Sequence, residues 1–144
     1  MIENDTIKLL RECDAGVKMG ISSISEVIDR VESEDLKDIL NKCKSEHEKL
    51  EYEIQQKLIE FNDDGKDPNP MAKGMSWLKT NIMIGIDHSD KTICDLLTDG
   101  CNMGVKSLNS YLNEYKAADE YTKDITKKLI NLEERLAVDM RDYL

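Results

Sequence analysis

Apolar positions recur every three or four residues along most of the chain, the spacing of helices that bury one face. The first series runs Ile7, Leu10, Asp14, Val17, Ile21, Ile24, Ile28 and Val31, and one of its members, Asp14, is an acid. Asn4 or Asp5 is placed to cap this helix, which the pattern predicts to be about 28 residues long. Ser33 then offers a new N-cap, with Glu34 and Asp35 in the first turn, where the helix dipole favours negative charge. The second series reads Leu36, Leu40, Cys43, His47, Leu50, Ile54 and, after a small phase shift, Leu58 and Phe61. Its odd member is His47. The turn between the two series is short, which predicts antiparallel packing. NDDGKDPNP at 62–70 contains both prolines of the chain and stops the second helix near Phe61.

Helical periodicity resumes over Met71 to Ile86, with Met75, Trp77, Leu78 and Ile82 on the apolar side. A further series follows within Ser89 to Tyr115: Ile93, Leu97, Cys101, Val105, Leu108, Leu112 and Tyr115. One continuous rod over both would be ~68 Å long, against ~40 Å for the others, so a break is expected near Gly85–Ser89, with Ser89 as a new cap. Asp119 or Thr122 caps the last helix, whose seam is Ile125, Leu129, Leu132, Leu136, Met140 and Tyr143. The expected fold class is therefore all-α. A single domain, 1–144, forms a four-helix bundle from two helical hairpins, 4–61 and 89–143, joined by a long crossover, 62–88, that contains a short extra helix.

The two hairpins resemble each other. LLRECDAGVKMGISSISE (9–26) and LTDGCNMGVKSLNSYLNE (97–114) share Leu9/Leu97, Cys13/Cys101, Gly16/Gly104, Val17/Val105, Lys18/Lys106, Ser22/Ser110 and Glu26/Glu114 at an offset of 88. Amphipathicity alone does not require the shared Cys and Gly, which favours an internal duplication. The second arms agree more weakly at an offset of 89, with Ser33, Leu36, Leu40 and Cys43 facing Thr122, Ile125, Leu129 and Leu132. The blocks IKLLRECDAGVKMG, NPMAKGMSWLKTN and TDGCNMGVKSLNSYL resemble an uncharacterised bacterial family of ferritin-like four-helix-bundle proteins, a domain of unknown function, and the similarity covers essentially the whole chain. That resemblance implies a fold and no reaction.

A ferritin-like di-iron centre takes one Glu from each of two helices and a Glu-x-x-His from each of the other two. Here Asp14 stands at the first position and Lys44 with His47 at the second. Asn102 stands at the third, and Glu133 is followed by Leu136 at the fourth. The expected site is thus degenerate. A smaller one remains open, with Asp14, His47, Glu133 and Cys101 as candidate metal ligands for a single transition ion, Zn or Fe, and Cys13 and Cys43 nearby. The plainer alternative is that Asp14 and His47 pair with each other and fix helix register. Glu46, Glu48, Glu51 and Glu53 read as a solvated face, and His88 as a flank residue. Gly16, Gly20, Gly100 and Gly104 suggest close helix approach.

Charge narrows the partners. Thirty acidic residues against 20 basic ones give a net charge of −10, which disfavours nucleic acid and anionic membranes. No apolar run approaches the ~20 residues of a membrane span. Met1 leads into acidic and polar residues rather than a signal peptide, and the four cysteines form no CxxC pair. The chain is therefore expected to be cytoplasmic with reduced thiols. No P-loop, GxSxG or HExxH motif occurs. The expected function is non-catalytic action through association, as a homodimer, with another protein partner, or as a stress-related accessory. The alternative is a metal-binding ferritin-like protein that uses Asp14 and His47 for storage or redox chemistry, and an enzyme of unrecognised type ranks last.

Overall fold

The computed structural model describes residues 2–68 and 89–144, which fold into four long helices with no strand among the described residues. They are α1 (Ile2–Val27), α2 (Glu34–Glu60), α3 (Asp90–Glu114) and α4 (Glu120–Asp139). Short 3-10 turns, Ile28–Arg30 and Arg141–Tyr143, follow α1 and α4. The proposed helix over Met71–Ile86, the break at Gly85, Trp77 and His88 lie outside the described residues.

Local chemistry sets the helix starts. Ser33, Ser89 and Asp119 are all N-caps, their side chains accepting from the backbone N–H of Leu36, Thr92 and Thr122. The first start differs from expectation: α1 begins at Ile2, so Asn4 and Asp5 sit inside it. Asp5 instead accepts from the Ala117 N–H at 3.0 Å, and Thr6 accepts from the Asp119 N–H at 2.8 Å. Both side chains serve the turn between α3 and α4 rather than their own helix.

These bonds also fix direction. The start of α1 lies beside the start of α4, so the two run parallel. At the opposite end the Asp90 carboxylate accepts from the N–H groups of Glu32 and Ser33, both at 2.9 Å. The start of α3 therefore sits beside the start of α2. The bundle runs up–down–down–up, and the segment after α2 joins opposite ends of a body ~40 Å long.

The core has two parts. One packs Ile24, Val27, Leu36, Leu40, Ile93, Leu97, Leu136 and Met140 at the end where α2 and α3 begin. The other packs Leu9, Leu10, Val17, Leu50, Ile54, Leu58, Leu108, Ile125 and Leu129 at the opposite end. Every predicted seam residue of α2 from Leu36 to Leu58 is buried, His47 included. On α1 the buried face is rotated from the expected one. Leu9, Cys13 and Val27 go inside, while Ile7, Ile21 and Ile28 are only half-buried. With neighbours on three sides, α1 buries a broader arc than one seam describes.

Candidate functional site

Two polar clusters interrupt the core. The first is built on Asp14, which is fully buried. One of its oxygens accepts from Gln55 Nε2 at 2.8 Å. The other accepts from Lys18 Nζ, one helical turn along, and from the backbone N–H of Lys66, each at 2.9 Å. Three donors from three segments therefore converge on one carboxylate, and they pin the chain after α2 onto α1. Gly65 makes that approach feasible. Its φ is +83°, and a Cβ there would collide with the Asp14 carboxylate. Arg11 reinforces the strap by donating from Nε to both Asp63 oxygens at 3.1 Å, and Lys66 Nζ pairs with Glu12.

Glu51 joins this cluster. Gln55 donates to one of its oxygens at 2.9 Å, while the other is buried without a hydrogen-bond partner. Burial pushes the Glu51 carboxyl up to about 7; Asp14 adds to the rise, while Gln55 and Lys18 oppose it. A proton on Glu51 would turn its unpartnered oxygen into a donor toward Asp14. The sequence pattern puts Glu51 on a wet face. It turns inward because it lies on the flank of α2 that meets α1, beside the seam rather than opposite it. Its spacing to Gln55, four residues, was the available signal.

The second cluster is built on His47, which is 1% exposed. Its Nδ1 donates to the Cys43 backbone carbonyl at 2.8 Å, with the Cys43 thiol 3.5 Å away. Its Nε2 donates to Glu133 Oε1 on α4 at 3.1 Å. Burial works against charging this ring, but the contacts with Cys43 and Glu133 outweigh it and push His47 up to about 10. The result is a buried imidazolium–carboxylate pair. Cys101 faces the same Glu133, and burial together with that carboxylate pushes its thiol far up. Gly20 on α1 makes room, since a Cβ there would lie 2.7 Å from two atoms of the His47 ring.

The structure thus brings together three of the four candidate ligands, His47, Glu133 and Cys101, and leaves Asp14 out. His47 lies against Gly20, six residues beyond Asp14 on α1, a separation of about 9 Å along the axis. The expected Asp14–His47 pair does not form. The 3-10 turn and the extended residues that lead into Ser33 set the α1–α2 register, so that Asp14 meets Gln55. Nor do the donors of the His47 cluster point at a shared centre, because they bond to one another. Among the described residues no three His, Cys, Asp or Glu side chains form a group that could hold a metal ion. A di-iron pair does not fit this donor set. The positions of two of its ligands are held by the exposed Asn102 and by Leu136, which is packed in the core.

The four cysteines are buried free thiols. Cys13 contacts Thr126 Oγ1 at 3.1 Å, and burial pushes it up to about 12, so it is a poor nucleophile. No described helix is long and apolar enough to cross a membrane. No family model matches the chain, and neither a curated protein nor a solved structure matches it.

Proposed function

We propose that this chain is a ferritin-like bundle in which protein groups have replaced the metal pair, and that it acts without catalysis, by associating with a protein partner. The up–down–down–up path and the repeated CxxGVK blocks support the ferritin-like part of the reading, including descent from a duplicated hairpin. One observation supports the replacement of the metal pair: both ring nitrogens of His47 are taken up within the protein, Nδ1 by the Cys43 carbonyl and Nε2 by Glu133. A histidine held in this way offers no lone pair to a cation. Asp14 is likewise saturated by Lys18, Gln55 and the Lys66 N–H, and Lys18 already supplies the positive charge that its carboxylate requires.

The test is elemental analysis of untagged protein together with thermal unfolding with and without chelator. The reading predicts substoichiometric metal and an unchanged midpoint. Stoichiometric zinc or iron that is lost in His47→Ala would replace it with the metalloprotein reading. That alternative draws on the sulfurs of Cys43 and Cys101 and the Glu133 carboxylate near His47. A cytoplasmic location suits the four free thiols.

A further inference from the structure

The face between α2 and α4 carries a groove that shares only Cys43 with the two buried clusters. Its larger part, about 440 Å³, has a floor of Ile39, Cys43, Leu132 and Leu136. A second part, about 270 Å³, continues it toward the start of α4 and shares Glu46, Leu132 and Arg135 with the first. Val138 lies on the rim, 47% exposed. The groove is thus an apolar trough with a wet, charged margin, the composition of a non-obligate interface.

Its charges are ordered. Asp38, Asp139 and Asp142 line one end, with Lys42 as the only cation there among the described residues. Lys49 and Lys128 line the other. In the middle the Arg135 guanidinium crosses to Glu46 at 3.4 Å and neutralises the centre. Among the described residues none of the three terminal acids or the two terminal lysines takes part in an ion pair within the chain. A purely basic ligand would meet Lys49 and Lys128, and a purely acidic one would meet the aspartates. A ligand must carry both signs in reverse order to match both ends. A second copy of the chain, turned end for end, carries that order by construction.

We propose that the α2–α4 groove is a two-fold interface between two copies of this protein. The axis passes near the Glu46–Arg135 bridge, and the aspartate end of each copy lies on the Lys49/Lys128 end of the other. This names the partner for the association reading above and rests on it. The two part company experimentally: a metal-free protein that stays monomeric removes this interface but leaves a different partner open, whereas bound metal removes the reading itself.

The test is analytical ultracentrifugation of the full chain at physiological salt over a concentration series. Wild type should show a reversible monomer–dimer equilibrium. Lys49→Glu/Lys128→Glu and Asp38→Lys/Asp139→Lys should each weaken self-association by about tenfold or more. Mixed together, these two variants should form a heterodimer at least as tight as the wild-type dimer, because each end then meets its opposite. All four positions are on the surface, and circular dichroism confirms that each variant is folded. Val138→Arg, a single rim change, gives a second route to the same loss. A wild type that remains monomeric throughout would overturn the proposal. So would variants that dimerise like wild type, or a mixture in which the partners ignore each other.

Discussion

The bundle contains two buried polar clusters that solve the same problem in opposite ways. Around His47 a cation and an anion from α2 and α4 neutralise each other inside the core, and Gly20 on α1 leaves the ring its space. Around Asp14 a carboxyl is satisfied mainly by hydrogen-bond donors and a half-exposed lysine, and part of its shell comes from the strap after α2. The first joins two long helices and should matter to the whole fold. The second joins a helix to a connecting segment and should matter chiefly to that segment.

The sharpest break comes from Glu133→Ala. It leaves an unpaired buried imidazolium and should cost about 3 kcal/mol, read as a lower denaturation midpoint with an unchanged slope. The double change His47→Leu/Glu133→Leu should recover much of that loss, since a buried ion pair replaced by apolar groups is often near neutral. A double mutant as unstable as the single would show that the pair is itself a net stabiliser.

On the other side, Gly65→Ala should cost about 2 kcal/mol, from positive φ and the collision with Asp14. Its signature should be local. Protease cleavage within 62–68 should rise well before global unfolding, whereas Glu133→Ala should raise cleavage only together with global unfolding. Equal cleavage patterns in the two variants would erase the distinction between the clusters.

Proton linkage separates the clusters again. Both groups are raised in the folded state, so in each case stability is present at low pH and lost as pH rises. For Glu51 the loss runs from about 4.5, its ordinary value, to about 7. For His47 it runs from about 6.5 to about 10. The urea midpoint should therefore fall in two adjacent steps. Glu51→Gln should remove the lower step and add about 1 kcal/mol at pH 8, because its amide donates where a carboxylate cannot. His47→Gln should remove the upper step only. The smallest effect is expected at Glu46–Arg135, where removing either partner should change monomer stability by about 0.5 kcal/mol or less.

Much of the scaffold was legible in advance. The α2 seam, the caps at Ser33, Ser89 and Asp119, the stop near Phe61 and the last seam from Ile125 to Met140 all follow from spacing and capping chemistry within single helices. What escaped was what crosses between elements. Asp14 and His47 both stand out as odd residues in a seam, yet they belong to different clusters. Glu51 read as solvated, and Gly20 as a site of close approach without its partner.

The reason is geometric. A period of 3.6 tells which side of a helix faces inward, and a capping residue tells where the helix begins, because both depend on neighbours a few residues away. Whether Asp14 meets His47 or Gln55 depends on how far one rod has slid along another, and a turn of a few residues moves that register by a full helical turn. The amino-acid sequence by itself determined the four rods, the inward faces of α2 and α4, and the presence of polar residues in the seams. Only the tertiary structure decided that His47 spends both ring nitrogens on Cys43 and Glu133, and that Asp14 holds a strap.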